Sequence, residues 1–351
     1  MLAVYCSTQT LYLIASENPL LQLPGGIRPL TTCGFFGDAA VAMPADDHSL
    51  MIYNFDGSLK KRITGSTEII SAYDQSSSGK YCATGSYDNV LFQYDVATGN
   101  PAYNAQHNDI ISMVRFSHDE RVLCSLSWDN QIIGRSTTSN GPINYSLKPQ
   151  NTVITVAPSP TGENLAVSFL KSNQAELWKI GQYHDHEVYA TLTGHQQDVY
   201  ALDWNPLGTT VATGSADGTV KIWDSGTGGA ISTLQDITGK RAPLRYSHNG
   251  NLLAIGSPVD PSIIIYDMRT LRILAALAGH LGGTDDIKWS LDDTKIVSCS
   301  DREKTVKLWS VTQPVNRYAR LTQFVKKCRR LLTPCLSADE SLEIEPLFLS
   351  I

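Results

Sequence analysis

His195 and Asp217, with Ser215 two residues before the aspartate, are the residue types that general-base and nucleophilic chemistry uses. Their surroundings oppose that reading. No serine stands in a nucleophile elbow, and no glycine-rich phosphate loop leads from a strand into a helix. A second candidate is His184-Asp185-His186, in the insertion GQYHDHEVY, where a His-x-His pair offers metal ligands. Two imidazoles and one carboxylate with no further donor nearby fall short of a zinc site, so a solvated loop is expected and no metal. The seven cysteines, at 6, 33, 82, 124, 299, 328 and 335, include no CxxC and no zinc-ligand spacing. They read as reduced thiols of an intracellular protein, in cytoplasm or nucleus, with Cys6, Cys82, Cys124 and Cys299 as small buried fillers at or beside equivalent strand positions. Lys326-Lys327-Cys328-Arg329-Arg330 is a basic cluster, read as an exposed loop before a closing strand rather than a localisation or phosphate-contacting signal.

The elements that hold these residues are clearest in residues 190–228. Gly194-His195 opens the stretch, and Val199 to Trp204 alternates as a first strand. Asn205-Pro206-Leu207-Gly208 is a turn that no continuing strand tolerates. Thr210 to Ser215 is a second strand, Ala216-Asp217-Gly218 a tight hairpin turn, and Thr219 to Asp224 a third strand rich in β-branched and aromatic residues. A sheet of four short strands cannot bury both of its faces alone, so it must stack on copies of itself.

The opening Gly-His and closing Trp223-Asp224 resemble the WD repeat, so the chain is read as an all-β WD40 β-propeller. The resemblance implies a structural role for the polar residues. His195, Asp217, a strand hydroxyl (Ser215 or Thr213) and the Trp223 indole form a buried hydrogen-bond chain in the family, and His280 and Trp309 take the same places in the last repeat. That reading displaces a catalytic dyad.

Carried along the chain, the template gives third-strand closing positions at Ile14, Tyr53, Tyr94, Arg135, Trp178, Trp223, Tyr266 and Trp309, spaced 39 to 45 residues apart. Turn aspartates stand six residues earlier at Asp47, Asp88, Asp129, Asp217 and Asp260, and Thr8 and Ser172 are polar substitutes. Trp128-Asp129 therefore lies in a hairpin turn, and the blade ending at Arg135 is read as having lost both its Trp and its Gly-His. Eight third strands against seven internal first strands favour eight blades over seven, in one domain spanning 1–351. Residues 330–340 then supply the missing first strand beside residues 1–23, so the paired termini close the ring and 341–351 form a short tail.

Composition agrees with an all-β protein: 42% of residues are hydrophobic, and there are 26 Gly and 16 Pro. No run of 18 apolar residues suggests a membrane span, and the N-terminus lacks the basic start of a signal peptide. A formal net charge of -6 opposes non-specific binding to nucleic acid. Large aromatics beside the turns offer binding area at low entropic cost. Tyr87 and Trp128 precede two turn aspartates, and Tyr200 starts a first strand with Asp198 and Asp285 at related positions. The resemblance marks such places as peptide contacts. The expected function is a non-catalytic scaffold for protein partners, a subunit of a larger complex with no cofactor and no small-molecule substrate. A propeller-based enzyme and a nucleic-acid-associated propeller are the alternatives.

Overall fold

The structure is a computed structural model; it describes residues 2–7, 10–15, 19–27, 29–138, 141–181, 185–234, 242–257, 259 and 261–311, with side chains from residue 19 onward. Among the described residues every regular element is a β-strand. Among the described residues, seven four-stranded antiparallel sheets follow one another along the chain, as blades 1 to 7. Blades 1 to 6 occupy residues 34–63, 70–106, 111–147, 153–193, 199–234 and 244–278. Blade 7 joins residues 286–310 to β3, Leu21–Pro24, from the N-terminal side of the chain.

Burial follows strand position. Second strands such as Thr210–Ser215 and Val122–Ser127 are buried on both faces, because each blade is covered by a neighbour on either side. Fourth strands such as Leu59–Ile63 form the outer edge and are largely exposed. The apolar clusters accordingly span pairs of blades: Ala157, Leu177 and Leu192 of blade 4 pack with Leu202, Val211 and Trp223 of blade 5.

The expectation of eight blades is corrected to seven. β1, Leu2–Ser7, and β2, Thr10–Ala15, do pair antiparallel, with Ala3 opposite Ile14, but they form a two-stranded sheet of their own. The strand that would have extended this hairpin is used elsewhere. β3 pairs with the third strand of blade 7, Thr305–Ser310, placing Leu21 opposite Leu308 and Pro24 opposite Thr305. Without β3 that third strand would present a bare edge, so covering it outweighs completing an eighth sheet. The proposed pairing of the two termini is replaced by this single ladder; residues 330–340, the tail 341–351 and the basic cluster at 326–330 lie outside the described residues.

In blades 2 and 5 the turn between second and third strands is held by its aspartate. Asp88 accepts the backbone N–H groups of Thr67 (2.6 Å) and Val90 (2.9 Å), and Asp217 accepts those of Gln196 (2.8 Å) and Thr219 (2.9 Å). One carboxylate thus satisfies its own turn and the segment leading into the first strand. Asp260 lies outside the described residues.

Candidate functional site: a channel and two faces

In blade 5 the polar residues form one continuous chain. The Trp223 indole donates to Thr213 Oγ1 (2.8 Å), Thr213 Oγ1 lies 2.7 Å from His195 Nε2, and His195 Nδ1 lies 2.9 Å from Asp217 Oδ2. Thr213, not Ser215, is the strand hydroxyl in this chain; Ser215 donates to the Gln197 carbonyl (2.9 Å) and accepts from Asp217 N (3.1 Å). Neutral His195 satisfies every link by donating from Nδ1 to the carboxylate and accepting the Thr213 hydroxyl proton at Nε2. Burial pushes its pKa down against the opposing pull of Asp217. Both ring nitrogens are spent and the residue is buried, so no lone pair is left for a general base.

Blade 7 repeats the arrangement with a longer turn. His280 bridges Ser298 Oγ (2.7 Å) and Glu303 Oε2 (2.9 Å), and the Trp309 indole donates to Ser298 (2.8 Å). Blade 3 keeps a version the sequence reading missed. His107 is buried and bridges Ser125 Oγ (2.8 Å) and Ser127 Oγ (3.2 Å), and Ser127 donates to Asp129 (2.5 Å). This blade has therefore lost its Gly and Trp but not its His. The signal was available: each of the three histidines stands 18 residues before its strand hydroxyl. Blade 4 differs, because the Trp178 indole donates to Glu176 (2.7 Å) and its ring stacks on His186 at 3.8 Å. His186 is thereby packed against a core Trp; His184 lies outside the described residues, and among the described residues no group of three or more potential ligands surrounds a metal position.

The turn between second and third strands brings Tyr87 and Trp128 together. Their rings meet edge to face, with centroids 5.8 Å apart, although one belongs to blade 2 and the other to blade 3. Tyr87 is 37% and Trp128 61% exposed. Equivalent backbone bonds fix both, from Tyr87 N to the Ile69 carbonyl and from Trp128 N to the Ile110 carbonyl, each 2.9 Å. The same bond, Leu170 N to the Thr152 carbonyl at 2.8 Å, places Leu170 of blade 4 in the next equivalent position, 45% exposed. Sequence reading passed over Leu170 because this turn is one residue longer, so counting six back from Trp178 lands on Ser172.

Asp198 stands where the chain leads into blade 5. Its carboxylate accepts the Lys171 N–H of the blade 4 turn (3.0 Å), and its carbonyl accepts Ala216 N (3.0 Å). Tyr200 follows as the extra residue of a β-bulge between Val199 and Ala201, a feature that re-aims a side chain at the rim of a sheet. It is half-buried, in blade 5, two blades on from Trp128. Asp285 sits at the same end of blade 7, where it accepts Asp301 N (2.6 Å). Asp198 and Asp285 are thus bonded to the turns between second and third strands, and a ring contact joins Tyr87 with Trp128.

The channel holds charges that were not anticipated. One register position of the first strands reads Gly34, Asp74, Arg115, Ala157, Asp203, Arg245 and Lys288 through blades 1 to 7. Lys288 pairs with Asp74 (2.8 Å) and Arg115 with Asp203 (3.0 Å), each pair skipping one blade, and Arg245 lies 3.7 Å from Asp286. Gly34 leaves its place to the Tyr73 ring, which a Cβ there would strike. Aligning SAYDQ, SMVRF, YALDW, PLRY and DIKW would have exposed this column, but matching against the turns hid it.

The profile described as "WD domain, G-beta repeat" matches residues 57–95, 186–224 and 271–310, in blades 1–2, 4–5 and 6–7. The chain is similar to Pre-mRNA-processing factor 17 of Mus musculus, 28% identical over 162 residues, covering 45% of this chain and 27% of that protein. It is also similar to F-box-like/WD repeat-containing protein TBL1X of Homo sapiens (36% over 104 residues; 30% and 18%) and to Protein tipD of Dictyostelium discoideum (29% over 119 residues; 34% and 19%). The matched stretches span less than a third of each relative's own length. Repeat signatures on three segments, together with seven stacked four-stranded sheets, make the chain a WD-repeat β-propeller protein.

Proposed function

We propose that this propeller is a non-catalytic scaffold that binds a protein partner through the face bearing Tyr87, Trp128 and Leu170. WD40 propellers mediate protein–protein interactions, and the chain's relatives include a pre-mRNA-processing factor and an F-box-like/WD repeat-containing protein. The observation that carries the reading is the exposed edge-to-face pair of Tyr87 and Trp128, fixed on two rigid turns. A preorganised aromatic pair loses little entropy on binding and can anchor an interface. Asp198 and Asp285 on the same face favour a basic residue in the bound segment, with Tyr200 as a further contact. Neither cofactor nor small-molecule substrate enters this reading, and an intracellular setting, cytoplasm or nucleus, accompanies it. Among the described residues no helix is long and apolar enough to cross a membrane.

The test is a quantitative partner pull-down comparing the native chain with the Tyr87→Ala, Trp128→Ala double variant, with circular dichroism and melting as folding controls. A central anchor is worth at least about 2 kcal/mol, so partner recovery should fall about thirtyfold. Undiminished recovery by the folded double variant rejects this face as the main site.

A further inference from the structure

The opposite end of the channel carries a different site. A cavity of about 140 Å³ lies there, lined by residues of all seven blades, with Asp74, Arg115, Asp203, Arg245 and Lys288 among them. His118 of blade 3 and His248 of blade 6 narrow its mouth, their rings 6.4 Å apart.

Three carboxylates face three cations in the channel, so the formal charge balances, but the hydrogen-bonding capacity does not. Every carboxylate oxygen is engaged. Asp74 accepts Lys288 Nζ (2.8 Å) and Phe116 N (2.9 Å), and Asp203 accepts Arg115 (3.0 Å) and Tyr246 N (2.8 Å). Asp286 accepts Ile287 N (2.9 Å) and Thr32 Oγ1 (3.0 Å). The guanidiniums retain spare donors. Arg115 is only 7% exposed, yet its Nε–H has no partner. Arg245 donates from one nitrogen to the Leu244 carbonyl (2.8 Å), and its other terminal nitrogen stays 3.7 Å from Asp286, beyond a hydrogen bond. A buried unsatisfied donor is costly, and a planar fork suits an oxyanion. The rim carboxylates do not oppose this, since Glu120 is bound by Ser77 (3.1 Å) and Ser78 Oγ (2.9 Å), and Asp293 by the backbone of His248 (2.7 Å) and Asn249 (2.9 Å).

We infer that this cavity binds a small tetrahedral oxyanion of the sulfate or phosphate class between Arg115 and Arg245. Burial and the proximity of Arg245 push the Arg115 pKa down to about 10, the state an anion between the two cations would relieve. The site lies at the end of the channel away from the aromatic face and is independent of what binds there.

Isothermal titration of the full chain with sodium sulfate at constant ionic strength tests the inference. Sulfate keeps its charge throughout the working range, so no ligand titration intrudes. Saturable one-to-one binding is expected, weakened at least tenfold in Arg245→Gln and unchanged in Arg269→Gln, which alters an exposed arginine of the same blade. Arg245→Lys, which retains the charge beside Asp286 but not the fork, should lie between, and it serves should Arg245→Gln fail to fold. Absence of saturable binding to the native chain, as a cavity filled by water alone would give, overturns the inference. So does equal affinity in the native chain and the folded Arg245 variants.

Discussion

At the residue scale, two tryptophans separate by what each indole touches. The Trp223 N–H is the first donor of a chain ending at Asp217, whereas Trp128 stands 61% exposed on a turn. Trp223→Phe keeps most of the ring but leaves the buried Thr213 hydroxyl short of a donor, and should cost about 1 to 3 kcal/mol. Trp128→Phe should leave urea unfolding almost unchanged. Equal shifts for both would show that blade 5 does not depend on its polar chain. Most of this was legible in the sequence, because His195, Asp217 and Trp223 keep fixed offsets that only a repeat produces. His107 was not, since its neighbour Gln106 replaces the glycine and the missing Trp drew attention away from the 18-residue spacing. The channel charges were hidden for a different reason: a single strand shows an isolated Asp or Arg, and only the stacked register makes six blades' worth of side chains into a layer.

At the element scale the decisive strand is the four-residue β3. Leu23 is 5% exposed and packs with Phe35 and Val41 of blade 1 and Val306 and Leu308 of blade 7, so one side chain seals the junction where the ring closes. Leu20, just before the strand, is 56% exposed. Leu23→Asp, which both empties a packed site and buries a charge, should lower stability by more than about 3 kcal/mol in urea unfolding. Leu20→Asp should be near neutral. Comparable losses from the two would mean that β3 does not fasten the ring. The sequence showed a strand pair at 2–15 and seven further first and third strands after it, but it could not show which edge β3 would cover. Strand pairing at an edge is a choice between partners distant in sequence, and LQLP carries too little pattern to make it. Periodicity therefore located the strands well and the ring closure poorly.

At the scale of the whole molecule, blades are joined by burial between neighbours and by ion pairs that cross the channel from blade 2 to 7 and from blade 3 to 5. Three of the blades also lock a histidine in its neutral form. Burial, aided by Arg135, pushes His107 down to about 4, and burial lowers His195 and His280 against the pull of Asp217 and Glu303. In the unfolded chain each takes up its proton near pH 6.5, so below that pH the unfolded state binds more protons and stability falls. A second loss follows at lower pH. Burial alone would raise Asp217 and Glu303, but the hydrogen bonds from Thr219, Gln196 and His195, and from His280, Lys307 and the Leu281 N–H, hold both down at about 2. They ionise normally when unfolded, so their contribution is present above about pH 4.5 and is lost toward about pH 2. The two windows can be separated by substitution. His107→Gln should be less stable than the native chain at about pH 7, yet lose less between about pH 6.5 and about pH 4, because His107 alone accounts for about 3 kcal/mol of that slope. Its slope below about pH 4 should match the native one. Urea unfolding across this range measures both, and a His107→Gln profile parallel to the native one throughout would show that the imidazole is not held neutral by the fold.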